Sequence, residues 1–223
     1  MSNFKAEREI MIESQIRPNA VTQTELLAAM LETPRELFVP PSQRGLAYID
    51  GSLRVEAARE GQPPRYLLSP MVFAKLAQLA GIKPSDKVLD VGAATAYSTA
   101  ILARLARQVV ALECDAGLAA VAKDALLGQG IENAEVATAK LQDGFPSQAP
   151  FDVIFFNGRL AADPENLFSQ LSEGGRIVAI MGGQVAAKAC LLRKIDSQIQ
   201  RVTAFDATAP LLPGFEMKQA FAF

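Results

Sequence analysis

Two carboxylates, an amide and a hydroxyl carry the chemistry legible in this chain. Asp90 sits near the end of an apolar run, Val88-Leu89-Asp90-Val91, that meets Gly92. A small-residue turn follows, and then an Ala/Leu-rich segment with helical spacing over 97–106. A strand, tight turn and helix in that order form the unit that holds a nucleotide-like ligand at a helix N-terminus. The turn reads Gly92-Ala93-Ala94-Thr95-Ala96, so alanines stand at 94 and 96 where such loops usually place glycine. Glycine serves there because backbone and ligand approach closely and a Cβ intrudes. Glu113 ends the next apolar run, Val109-Val110-Ala111-Leu112-Glu113. An acid about 20 residues beyond such a loop ordinarily accepts hydrogen bonds from ribose hydroxyls. The other reading of Glu113 is a solvated acid at a helix N-terminus, although Asp115 is better placed to cap that helix. A further strand, 151–156, runs into Asn157-Gly158, and loops at strand carboxyl ends line the crevice of open α/β sheets. Asn157 is the site candidate there. Ser69 precedes Pro70, where it is either the N-cap of a helix or a hydroxyl for substrate.

Composition narrows the chemistry. The 223 residues include no histidine, which removes Ser-His-Asp and Cys-His nucleophiles and most zinc sites. No metal ligand set is expected. A net charge of −2 without a basic cluster argues against a nucleic-acid partner. No apolar run approaches the roughly 20 residues of a membrane span, and Met1–Glu9 lacks the apolar core of a signal peptide. Cys114 and Cys190 have neither metal nor redox spacing, so a reduced cytoplasmic setting is expected.

The elements that must position these groups follow from periodicity. Helical spacing covers 4–17 and 22–31, with Pro18 between them. Residues 42–66 carry little period and read as loop, and a helix starts at Pro70. From Asp86 the pattern alternates. Strands are expected at 87–91, 108–113, 134–138, 151–156 and 175–181, and helices at 97–106, 115–128 and 164–172. Segments 188–195 and 198–207 flank Asp196-Ser197 as a hairpin. The fold expected is α/β: a Rossmann-like, doubly wound, mostly parallel sheet with a C-terminal antiparallel hairpin and an N-terminal helical cap. The cap and substrate segment cover 1–80, and the Rossmann-like domain covers 81–223.

With these residues in view, the chain resembles the protein-L-isoaspartate O-methyltransferases, a family of Rossmann-like S-adenosylmethionine-dependent methyltransferases. The resemblance rests on Ser14-Gln15-Ile16-Arg17-Pro18, Pro34-Arg35-Glu36-Leu37-Phe38-Val39-Pro40, Ala47-Tyr48-Ile49-Asp50, Leu68-Ser69-Pro70, Val88-Leu89-Asp90-Val91-Gly92 and Gln170–Val178. The N-terminal blocks are the most specific, because generic methyltransferases lack them. The C-terminal Ala207–Phe215 segment is similar to a divergent bacterial branch. The resemblance implies methyl transfer from S-adenosylmethionine to the carboxylate of an isoaspartyl residue in a damaged protein or peptide. It implies cofactor contacts from Asp90, Gly92, Ala94, Ala96, Tyr97, Glu113 and Asn157, and a substrate-side hydroxyl from Ser69. Three motifs depart from the family pattern. The loop glycines are alanines. The substrate segment Thr-Ile-Ser-x-Pro is replaced by Leu67-Leu68-Ser69-Pro70, and the Gly-Asp-Gly that reads adenine by Ala139-Lys140-Leu141, with Asp143 nearby. A lysine cannot accept the adenine amino proton. A relative with weak or no cofactor binding, acting as a binding or regulatory module, is the alternative, as is a methyltransferase for another substrate.

Overall fold

The computed structural model describes residues 3–59 and 62–217. Helix α1, Phe4–Met11, starts under an Asn3 cap that accepts the Ala6 N–H at 3.2 Å. It runs on as a wider π-helical turn, Ile12–Ile16, before Pro18 ends it. Helix α2, Thr24–Glu32, follows. The stretch expected as loop contains a 3-10 turn, Pro41–Leu46, and a short hairpin, β1 Leu53–Glu56 with β2 Arg65–Leu67. Each of these strands offers only two inward positions, too few for a period of two to stand out in the sequence. Helix α3, Pro70–Ala80, begins with proline at its first position, where the missing N–H costs nothing.

The remaining elements are β3 Lys87–Val91, α4 Tyr97–Leu105, β4 Gln108–Glu113, α5 Ala116–Gly128, β5 Ala134–Thr138, β6 Phe151–Leu160, α6 Glu165–Phe168, β7 Leu171–Met181, β8 Lys188–Ile195 and β9 Gln198–Asp206. The seven-stranded sheet has the order β5-β4-β3-β6-β7-β8-β9. It is parallel from β5 through β7, and β8 and β9 add antiparallel. The expected mostly parallel sheet with a C-terminal hairpin is what forms. The helix expected at 164–172 shrinks to the four residues of α6, because Leu171 already pairs with Phe151 across the β6–β7 ladder. Sheet pairing there overrides local helical spacing.

Strands β3, β4 and β5 step outward in one direction, and β6 returns to the other side of β3. The chain therefore switches direction between β3 and β6, and a crevice opens at their carboxyl ends. One face of the sheet packs against the N-terminal helices, α3, α4 and α5 in a single apolar core. The other packs against α6, Leu141 and the C-terminal segment, where Leu212 and Phe215 are buried. The N-terminal cap thus shares its core with the sheet.

Phe155 projects from β6 into the first core and lies 5.6 Å, ring to ring, from Phe73 of α3. Phe155→Ala is expected to cost about 3–5 kcal/mol in urea unfolding, from lost burial and the cavity left behind. Val202→Ala, on the exposed face of β9, should change stability by no more than about 0.5 kcal/mol.

Candidate functional site

Asp90 is fully buried at the end of β3. Its carboxylate accepts hydrogen bonds from Ser98 Oγ at 2.7 Å, Thr99 Oγ1 at 2.6 Å and Asn157 Nδ2 at 2.5 Å. Ser98 and Thr99 belong to the first turn of α4, so the carboxylate ties that helix terminus to β3 and β6. Burial pushes its pKa up from the ordinary 3.8 to about 6, although all three donors favour the charged form. Nearby Glu113 adds a smaller push in the same direction.

The loop after β3 keeps a left-handed backbone without the glycines that suit one. Gly92 has φ +77°, Ala94 +51° and Ala96 +69°. An L-residue in that region costs about 1–2 kcal/mol. Part of the compensation is visible: the Ala94 N–H donates to Glu113 Oε2 at 2.8 Å.

Glu113 is also fully buried. Its other oxygen accepts the N–H groups of Cys114 at 2.8 Å and Asp115 at 3.1 Å and is ion-paired with Arg65 of β2. This corrects the reading of Glu113 as a solvated acid: the carboxylate is buried and four protein donors hold it. Asp115 takes the helix-capping role, accepting the Leu118 N–H at 2.9 Å. Burial, with Glu113 beside it, pushes the Cys114 thiol up to about 11, so the thiol stays protonated. Arg65 was missed in the sequence, where it lies in the segment read as loop. The faint signal is the inward-outward-inward triplet Arg65-Tyr66-Leu67.

The C-terminal segment completes the site. The Arg159 N–H donates to Pro210 O at 2.8 Å, the Leu212 N–H to Arg159 O at 2.9 Å, and the Ala161 N–H to Phe215 O at 2.9 Å. These bonds lay 210–215 along the carboxyl end of β6, just past a ladder irregularity between Phe155 and Arg159. The Leu212 side chain then covers both glycines of the crevice. A Cβ built on Gly92 would meet Leu212 Cδ2 at 2.7 Å, and one on Gly158 would meet Leu212 Cγ at 2.6 Å. The gap that remains is about 10 Å³, room for one water. Gly92, Tyr97 and Asn157 border it, together with the buried Arg35. A second cavity of about 210 Å³ lies on the outer side of Arg65, against Gln62, Cys114, Asp115 and Pro213.

Ser69 caps α3, accepting the Val72 N–H at 3.4 Å, while its neighbours Tyr66, Leu67 and Leu68 border the small gap. The adenine-side segment is rebuilt as well. Leu141 is buried, Lys140 and Asp143 are exposed, and the Gln170 side chain packs against Gly144 while accepting the Phe145 N–H at 2.8 Å. Pockets for ligands of this size run to several hundred Å³. With Leu212 and Arg65 lying where they do, the gap beside Gly92 is too small to admit S-adenosylmethionine.

Comparison with known proteins places the chain. The family profile described as Protein-L-isoaspartate(D-aspartate) O-methyltransferase matches residues 6–207. A Koribacter versatilis protein-L-isoaspartate O-methyltransferase is 35% identical over 92% of this chain and 90% of its own length. One from Roseiflexus castenholzii is 33% identical over 95% and 94%. A solved protein-L-isoaspartate O-methyltransferase superposes with a TM-score of 0.79 at 26% identity, over 93% of this chain and 66% of that one. A Plasmodium falciparum structure, in complex with S-adenosyl-L-homocysteine, shares the fold with a TM-score of 0.76 at 18% identity, over 95% of this chain and 99% of that one.

Two outcomes follow from the geometry. The Asp90 pKa is higher folded than unfolded, so the native state holds the extra proton between pH 4 and 6. Its contribution to stability therefore falls as pH rises through that window, by about 3 kcal/mol in total, and is level above it. Asp90→Asn should remove this slope, which urea unfolding of both proteins from pH 4.5 to 7 will read as a pH-dependent difference. At Ala96, Ala96→Gly relieves a left-handed φ and should raise stability by about 1 kcal/mol in the same assay.

Proposed function

Because the chain belongs to the protein-L-isoaspartate O-methyltransferase family, we propose that it methylates the free carboxylate of isoaspartyl residues in damaged proteins. The following backbone amide nitrogen then displaces methanol from the ester to close a succinimide, which water can reopen to aspartate, any isoaspartate formed re-entering the cycle. The observation that carries this reading is the extent of the match. Residues 6–207 include the N-terminal blocks as well as the nucleotide-binding half.

The chemistry suits a chain without histidine. A carboxylate with a pKa of about 3.5 is already ionised at pH 7 and needs no general base. The protein's work is alignment and exclusion of water. S-adenosylmethionine, the family's cofactor, supplies the methyl group. Ser69 is the proposed substrate-side hydroxyl. Gly92, Tyr97 and Asn157 border the gap and are proposed to face the cofactor, with Asp90, Ala94, Ala96 and Glu113 behind them. The proposed setting is the cytoplasm. Among the described residues no helix is long and apolar enough to cross a membrane.

The closed crevice favours a second reading, in which the chain keeps the family fold without its cofactor and serves as a binding module. Methyl-labelled S-adenosylmethionine and a matched pair of isoaspartyl and aspartyl peptides separate the two. Base-labile label on the isoaspartyl peptide alone is the expected result. No label above background on either peptide would sink the enzymatic reading and leave the second.

A further inference from the structure

The crevice at the switch between β3 and β6 is filled from within the chain. We propose that the 210–215 segment and Arg65 form an intramolecular plug that holds this crevice shut, so that S-adenosyl ligands bind only when the segment lifts. The inference rests on the family reading only in taking this crevice as the cofactor's place.

Three observations converge on one volume. Leu212 stands over both glycines that a ligand must approach, Gly92 and Gly158, and is itself 3% exposed. Arg65 reaches the same spot: a Cβ on Gly92 would meet its Nη2 at 3.3 Å. Among the described residues that buried Nη2 has no hydrogen-bond partner, while Nη1 pairs with Glu113. The guanidinium thus occupies the Glu113 carboxylate and stands against Gly92 at the mouth of the crevice.

The plug is attached in a way that permits release. Three backbone hydrogen bonds to β6 and the contact of Phe215 with Phe156, 5.3 Å between ring centroids, hold it down. The segment follows β9, the last strand among the described residues, and is no member of the seven-stranded ladder, so its lifting leaves the strand order unchanged. A crevice open in only a fraction of molecules weakens apparent affinity by that fraction. Trimming Leu212 should therefore tighten binding, although it removes favourable packing.

The test is calorimetric titration of the full chain with S-adenosylhomocysteine, which carries no transferable methyl. Leu212→Ala is expected to bind at least about tenfold more tightly than the unaltered protein. Leu212→Val, a milder trim that retains most of the packing, should shift affinity in the same direction by a few-fold and stands in if the alanine variant unfolds. Amide exchange supplies a second readout. Ligand at saturation should speed exchange at Arg159, Ala161 and Leu212, whose N–H groups make the holding bonds. Unchanged affinity in a folded Leu212 variant, including no binding by either form at millimolar ligand, would overturn the plug. So would saturation of the unaltered chain with those amides still protected. Because the readout is binding, a variant that binds but methylates nothing would refute the enzymatic reading and leave the plug standing.

Discussion

The buried carboxylate of Glu113 holds the site together. It reaches the β3–α4 loop through Ala94, the start of α5 through Cys114 and Asp115, and the N-terminal hairpin through Arg65. An unpaired charge in that position would be costly, and removing one member of a buried pair typically costs about 3–5 kcal/mol. The four donors are therefore a condition for burying Glu113 at all. They fix a left-handed loop built from alanine, and they bring the hairpin across the crevice. Asp90 does the corresponding work one strand over, joining β3, α4 and β6 through three short hydrogen bonds.

These two anchors explain why family membership and site geometry point different ways. The residues that build the fold persist: the apolar strands, the Asp90 network and the N-terminal blocks sharing a core with the sheet. Around the crevice the side chains bond to and pack on the protein itself. Glu113 bonds to protein donors, Gln170 packs on Gly144, and Leu212 lies on Gly92 and Gly158. Substituting alanine for loop glycine is not the main obstruction. The left-handed backbone survives at Ala94 and Ala96, and the volume is taken by side chains from distant segments.

Local signals were enough to expose the strands of the mostly parallel sheet and its C-terminal hairpin. An apolar run ending in Asp90-Val91-Gly92 needs only short-range physics to be read as a strand meeting a tight turn. Glu113 and Asn157 follow from where the next strands end. The hairpin at 53–67 and the shortened α6 were not legible. The first is too brief to show a period, and the second lost its helix to pairing of Leu171 with Phe151.

The sequence by itself determined the fold class and the family and pointed to Asp90, Gly92, Glu113 and Asn157, because each stands at or near the carboxyl end of an apolar run that local pattern marks as a strand. Only the tertiary structure decided what those groups face. Arg65 meets Glu113 across 48 residues of chain, and Leu212 returns to Gly92 from beyond the last strand. No periodicity encodes such meetings. They arise when the sheet closes and a buried charge and a small hollow must each find the nearest group able to satisfy them.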